Sequence, residues 1–278
     1  MNGLAFTKMQ ALGNDFIVID ATATPVDLDQ ATVRHLADRR LGVGCDQVLV
    51  LESGRDGCDF GYRIFNADGG EVEHCGNGVR CVARRVRDLG LSPDERVTFA
   101  VGSRQIETRL LANGNVAVDM GVPAFDPAAL PFQAEHEQDR YPLTAGDTEV
   151  EIGAVSMGNP HAVIAVADVA DAPVTTLGPL IETHAAFPQR VNVGFMAVHD
   201  RGHISLRVWE RGAGETPACG TGACAAVAAG RRWGLLDPAV RVTLTGGDLV
   251  IDWAGGDNPL WMTGPATTVF HGYLPGEP

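Results

Sequence analysis

Lysine is almost absent from this sequence: Lys8 stands alone against 20 arginines. A pyridoxal enzyme needs a Schiff-base lysine in its pocket. Only Lys8, at the end of the first strand-like stretch, could serve, which argues against pyridoxal chemistry. No run of 18 or more apolar residues occurs, so no membrane-spanning helix is expected. The opening residues MNGLAFTKMQALGNDF lack the charged-then-apolar layout of a signal peptide, and a cytoplasmic protein is expected. No basic patch stands out either. With a net charge of −14 and a pI near 4.9, nucleic acid and anionic membrane surfaces are poor partners. Six cysteines are present, at positions 45, 58, 75, 81, 219 and 224, yet none has a CxxC or Cys–His spacing typical of a metal site. No metal is expected, and in a cytoplasmic protein no disulfide framework.

The chain does hold enough apolar sequence for real cores. Its 278 residues, 45% of them hydrophobic, suit two domains of about 140 residues each. Short apolar or alternating stretches such as FIVID (16–20), QVLVL (47–51), AVIAV (162–166) and ISLRVWE (204–210) read as strands. Turn residues such as Asn113-Gly114 and Gly246-Gly247 separate others of the same kind. Val79, Val82, Ala83, Val86 and Leu89 form one helical stripe over 79–89, ended by Gly90 and Pro93. A second helix is expected over 222–233, where small apolar residues on almost all sides suggest burial. Further helices are expected over 29–40 and near 177–186. Ten or more short strands around a few helices indicate an α+β fold with a largely antiparallel or mixed sheet. The proline-rich segment GVPAFDPAALPF (121–132) is the best linker candidate.

The two halves echo one another. CGNGVRCVARRV begins at Cys75 and CGTGACAAVAAG at Cys219. Each is Cys-Gly-(Asn or Thr)-Gly leading into a helix, and each lies late in its half. Chance similarity of two glycine-rich loops is the competing explanation; the matching position within each half favours duplication. Against a chemical role for the two thiols stands the reading of two glycine-lined helix caps with incidental cysteines.

A thiol at a helix N-terminus is stabilised as thiolate by the unsatisfied N–H groups and the positive end of the dipole. Moving a cysteine from a pKa of ~8.5 to near 7 needs about 2 kcal/mol, the upper end of what a helix terminus supplies. The glycines let the backbone at Gly76, Asn77, Gly220 and Thr221 approach an anion closely. Two thiols on opposite faces of a carbon bearing a carboxylate would then invert its configuration without a cofactor. One, as thiolate, removes the α-proton; the other, as thiol, protonates the opposite face. Donors around the carboxylate stabilise the developing charge, and the thiol pair titrates as a unit.

Six ordered blocks run nearly end to end: KMQALGNDFIVID (8–20), GVGCDQVLVL (42–51), RIFNADGGEVEHCGNGVRC (63–81), VSMGNPHAV (155–163), RVNVGF (190–195) and RVWERGAGETPACGTGACA (207–225). In these blocks the chain resembles the diaminopimelate epimerase family. Gln10-Ala11 stands where the family usually has His-Gly, and Pro217 where it often has Leu. The resemblance implies cofactor-independent interconversion of LL- and meso-2,6-diaminopimelate, with Cys75 and Cys219 as the acid/base pair. In the LL-to-meso direction Cys219 is expected to accept the proton and Cys75 to donate. By similarity Gly76, Asn77, Gly220 and Thr221 hold the reacting carboxylate. Asn14, Gln47, Asn66, Asn159, Asn192, Glu210 and Arg211 complete the pocket, Arg211 as bidentate partner of the distal carboxylate. His161 and Glu210 are expected near the thiols, biasing their proton sharing. Cys45, Cys58, Cys81 and Cys224 are read as small apolar fillers.

The implied fold is two similar domains, each a curved sheet around a central helix with substrate between them. One spans 1–119 with a final strand, 264–278, returning to it; the other spans 120–263. The family also tends towards homodimers. Two rival readings remain at this stage: a proline or hydroxyproline racemase of the same superfamily, and a non-catalytic thiol redox or metal-binding protein. Arg211 and the three asparagines weigh against the first, because proline has no distal carboxylate.

Overall fold

A computed structural model of the chain describes residues 3–72 and 76–275. Internal contacts divide it into two units, Met1–Asp119 with Thr263–Pro278, and Met120–Met262.

The first unit opens with β1 (Leu4–Ala11) and β2 (Asn14–Ala21), an antiparallel hairpin. Its two-residue loop, Leu12-Gly13, has φ of +56° and +87°. Positive φ at both positions is what a tight turn matched to the strand twist requires, and this turn sets Asn14 at the head of β2. Helix α1 (Gln30–Ala37) follows, capped by Asp29, whose side chain accepts from the Thr32 amide. It carries the chain to β3 (Gln47–Ser53), parallel to β2. Next come β4 (Phe60–Asn66), β5 (Glu71–Val72), α2 (Gly76–Asp88), β6 (Arg96–Val101), β7 (Arg104–Leu110) and β8 (Val116–Asp119). β4 lies antiparallel to β3 and parallel to β6; β6, β7 and β8 form an antiparallel meander. β1, β2, β3, β7 and β8 all touch α2, so the sheet curls around that helix. Its apolar stripe, Val79, Val82 and Val86, is buried.

The second unit repeats the plan. β9 (Tyr141–Ala145), β10 (Thr148–Ser156) and β11 (Pro160–Val166) run antiparallel in turn. Helix α3 (Val174–Glu182) then leads to β12 (Asn192–Asp200), parallel to β11. β13 (His203–Glu210) is antiparallel to β12 and carries the short β14 (Gly214–Thr216). After α4 (Gly220–Arg232), β15 (Ala239–Leu244) joins β13 in parallel and pairs antiparallel with β16 (Gly247–Asp252). β10 to β13 and β16 touch α4, and every residue from Gly222 to Gly230 is buried. Alanine and glycine permit this: a helix enclosed by a curved sheet has no room for long side chains and no solvent face to fill.

The chain leaves the second unit through β17 (Trp261–Gly264) and ends with β18 (Thr267–Leu274), which pairs antiparallel with β1. The fold is α+β, with mixed sheets in both units. The segment 121–132 is not a free linker. Ala124 bridges Ser156, Pro127–Ala129 form a 3-10 turn capped by Asp126, and Leu130 and Phe132 are buried in the second unit's core. Its prolines shape a packed strap.

Candidate active site

In the first unit the parallel pair β2 and β3 start at the same edge at which antiparallel β4 ends. Asn14, Gln47 and Asn66 therefore share one sheet edge, with Gln47 opposite Asn66 in register. Gln47 Nε2 donates to Asn66 Oδ1 at 2.8 Å. The N-terminus of α2 meets this edge: Asn77 Nδ2 donates to Asn14 Oδ1 at 3.4 Å. Gly76 and Asn77 are thus brought to Asn14. Cys75, one residue before α2, lies outside the described residues, as does His74.

The second unit places its candidates at the equivalent edge. Asn159 precedes β11, His161 pairs in register with Asn192 at the head of β12, and Glu210 ends β13. Cys219 is the N-cap of α4, accepting at its Sγ from Gly222 N at 3.4 Å. Thr221 Oγ1 lies 3.6 Å from that sulfur. A polar chain runs back from it. Asn159 Nδ2 donates to Thr221 Oγ1 at 3.3 Å, and Asn159 Oδ1 lies 3.1 Å from His161 Nε2. His161 is fully buried, and burial, followed by the Arg211 charge, pulls its pKa down to about 3. It is therefore neutral, with Nε2–H as the donor to Asn159. Thr221 Oγ1 accepts from Asn159 and lies within hydrogen-bonding reach of Cys219, and a bond donated from that hydroxyl to sulfur favours the thiolate.

Other forces oppose that bond. Burial raises the Cys219 pKa well above the ordinary thiol value, the Glu210 carboxylate adds to the rise, and the Thr221 and Gly222 bonds only reduce it. Local reasoning from the helix end predicts a depressed thiol; here desolvation outweighs the helix end and holds the Cys219 proton in place. Glu210 itself accepts a hydrogen bond from Thr216 Oγ1.

Arg211 is exposed but its backbone is fixed. Its N–H donates to Asn192 Oδ1 at 2.9 Å and its Nη1 to Gln189 O at 3.0 Å, while Asn192 Nδ2 donates to Pro160 O at 3.0 Å. Asn192 thus ties the Arg211 turn to the start of β11. Buried Glu182 completes the support, accepting from Trp209 Nε1 at 2.7 Å and Gly212 N at 2.9 Å. Sequence reasoning singled out neither Glu182 nor the partners of Asn14 and Asn77, namely Asp46 and Arg80. The last two lie inside the recognised blocks, but nothing local marks their pairing. Of the remaining thiols, Cys45, Cys81 and Cys224 are buried as expected of apolar fillers, whereas Cys58 is only half-buried.

The sequence profile described as diaminopimelate epimerase matches residues 6–125 and 153–269. A diaminopimelate epimerase of Nitrosomonas eutropha is 58% identical over 274 residues, covering 98% of this chain and 99% of that protein. Among solved structures, a predicted epimerase from Pseudomonas aeruginosa superposes with a TM-score of 0.71 at 17% identity, covering 99% of this chain and 100% of the other. A hydroxyproline epimerase from Agrobacterium vitis, solved with bound trans-4-hydroxy-L-proline, gives 0.68 at 16% identity, covering 98% and 92%. These two share the fold. With most of its length matched by the profile and a relative above half identity end to end, the chain belongs to the diaminopimelate epimerase family.

Proposed function

We propose that this chain is an isomerase that interconverts LL- and meso-2,6-diaminopimelate in lysine and peptidoglycan precursor synthesis. It uses two cysteine bases, Cys75 and Cys219, and no cofactor. The observation that carries this reading is the repeated arrangement within a chain of this family. In each unit a row of carboxamides or carboxylates lines one sheet edge, and a helix starts there one residue after a cysteine. The substrate bears two ammonium and two carboxylate groups, and the side-chain types match. Asn14, Gln47, Asn66, Asn159 and Asn192 supply amide donors and acceptors, Glu210 takes an ammonium, and Arg211 takes the distal carboxylate. The amides of Gly76, Asn77, Gly220 and Thr221 hold the reacting carboxylate and stabilise negative charge as the α-proton leaves.

The resting state of Cys219 bears on direction. A protonated Cys219 is ready to donate, the role it takes from meso to LL. In the LL-to-meso direction it must first give up its proton. An ammonium group settling against Glu210 offsets the carboxylate that holds the thiol proton in place, and the Thr221 bond then favours the thiolate. Asn159 and His161 act behind Thr221, keeping its hydroxyl turned towards sulfur.

We place the enzyme in the cytoplasm as a homodimer. No helix among the described residues is long and apolar enough to cross a membrane, and exposed Val269, Phe270 and Tyr273 on β18 offer apolar surface to a second copy. Sedimentation equilibrium tests the dimer.

The function is tested by incubation in deuterated water with LL-diaminopimelate and, separately, L-proline, followed by proton NMR. Loss of the α-proton signal from diaminopimelate only, abolished in both Cys75→Ala and Cys219→Ala, is the expected result. Exchange into proline, or exchange surviving both substitutions, refutes it.

A further inference from the structure

We infer that Asp46 and Arg80 are positioning residues that fix which way the Asn14 and Asn77 carboxamides face, and thereby what a ligand meets at each. The two ends of an asparagine amide are nearly the same size but opposite in hydrogen-bonding sense, so its direction is set by its neighbours. Here the neighbours leave one solution. Arg80, buried at 0% exposure, has only donors to offer. Its guanidinium gives Nε to Pro265 O at 3.2 Å, Nη1 to Gly76 O at 3.4 Å and Nη2 to Asn77 Oδ1 at 3.0 Å. The Asn77 carbonyl is therefore turned to Arg80, and its Nδ2 donates onward to Asn14 Oδ1 at 3.4 Å. That turns the Asn14 nitrogen the other way, where Nδ2 donates to Asp46 Oδ2 at 2.9 Å. An ionised carboxylate only accepts, so the far end is fixed as firmly as the near one.

Three hydrogen bonds thus run in one direction, from a donor-only cation to an acceptor-only anion. The anion is itself held. Asp46 Oδ1 takes Arg39 Nη2 at 2.7 Å and Oδ2 takes the Asp15 amide at 3.1 Å. Arg39 is forked on Asp15 at 2.9 and 2.8 Å, and Asp15 also takes the Lys8 ammonium at 2.6 Å. The single lysine of the chain is spent on this support, not on chemistry. The direction matters because it turns the carbonyl of Asn14 and the N–H of Asn77 towards each other. A ligand beside them meets an acceptor suited to an ammonium on one side and a donor suited to a carboxylate on the other. Reversing it would present each charged group with the wrong end. This inference rests on the proposed contact of Asn14 with an amino-acid substrate.

The test removes the acceptor and then restores it without its charge. In Asp46→Ala the Asn14 Nδ2 loses its partner and the Asn14 amide is free to turn. The expected outcome is a KM for LL-diaminopimelate raised about tenfold with kcat changed less than about threefold, as for one hydrogen-bonding end turned wrongly. Asp46→Asn is the conservative variant. One oxygen, Oδ2, takes both Asn14 and the Asp15 amide, so the asparagine carbonyl keeps both bonds and leaves its NH2 to Arg39, which is 57% exposed. Its KM stays within about threefold of wild type. A merely structural role for Asp46, as an anion for Arg39, predicts instead that asparagine fails as alanine does. An Asp46→Ala enzyme with unchanged KM, or an Asp46→Asn enzyme as weak as Asp46→Ala, overturns the inference. Melting curves accompany each variant; Asp46 is 44% exposed, and the contrast between asparagine and alanine reads the same outcome at any temperature at which both are folded. Asn14→Ala separates the two levels of argument. An unchanged KM there overturns the substrate contact and this inference with it. A raised KM there beside an unchanged Asp46→Ala overturns the positioning role alone.

Discussion

Replacing Glu182 by glutamine tests whether the Arg211 turn is held by a buried carboxylate. Glu182 ends α3 at 7% exposure and receives three groups: the Trp209 indole N–H, the Gly212 amide and, at 3.6 Å, the Arg190 guanidinium. Burial pushes its carboxyl up, but these bonds and the Arg190 charge outweigh it and hold the group below its ordinary value. Glutamine has one carbonyl oxygen, so either the indole or the amide is left facing an NH2. A buried donor without an acceptor costs about 1–3 kcal/mol. Arg190 is 59% exposed, so its pair adds less than about 1 kcal/mol. With a loss near 2 kcal/mol and a urea slope of about 2 kcal/mol per molar, the unfolding midpoint falls by roughly 1 M. The pH dependence supplies a second signature. A carboxyl depressed on folding contributes stability that is full above its ordinary value of 4.5 and is lost as pH falls through the lower folded value. The gap between wild type and Glu182→Gln is therefore widest at neutral pH and closes below about pH 4.5. Urea unfolding at pH 7 and at pH 4 measures both. Equal midpoints at pH 7, or a gap independent of pH, refute the reasoning.

Glu210→Gln removes the carboxylate that raises Cys219 while leaving a carbonyl for Thr216. Alkylation of Cys219, followed by peptide mass spectrometry across pH, should move to lower pH; an unmoved or upward-shifted profile contradicts the assignment. Gly230→Ala in α4 sets two known effects against each other. Alanine gains up to about 1 kcal/mol in helix propensity, but its Cβ would sit 2.4 Å from Leu236 Cδ1 and 2.9 Å from Leu236 Cγ, and overpacking of that kind costs about 1–3 kcal/mol. A net loss on thermal or urea unfolding is expected; a net gain would mean the α4 enclosure is looser than it appears.

Much of the fold was legible in the sequence because helix stripes and short strands are local properties. The stripe from Val79 located α2, although three residues late, since Gly76-Asn77-Gly78 carries no apolar side chain to mark its first turn. The small-residue run located α4 and its burial for the right physical reason. α1 stops at Ala37, not near residue 40, because Asp38 turns extended and its carboxylate accepts from the Arg40 and Leu41 amides. The parallel pairs β2–β3 and β11–β12 left no local trace, since a strand's pattern shows which faces are buried but not which strand lies beside it. The same limit governs the site. Its glycines, thiols and asparagines stand in conspicuous blocks, whereas Asp46 meets Asn14 across 32 positions. For the Cys219 thiol the helix end is a local signal, but the burial and the Glu210 carboxylate that overrule it are supplied by the folded unit.

The central claim is that two separate thiols serve the two faces of one carbon, and the position of solvent deuterium at low conversion tests it most directly. LL-diaminopimelate is incubated in deuterated water, the reaction is stopped within the first tenth of turnover to equilibrium, and substrate and product are separated and analysed by mass. Two bases predict product that carries solvent deuterium at the inverted α-carbon and recovered substrate that carries almost none. Product that retains its original α-proton would mean one base serving both faces, and would contradict the account.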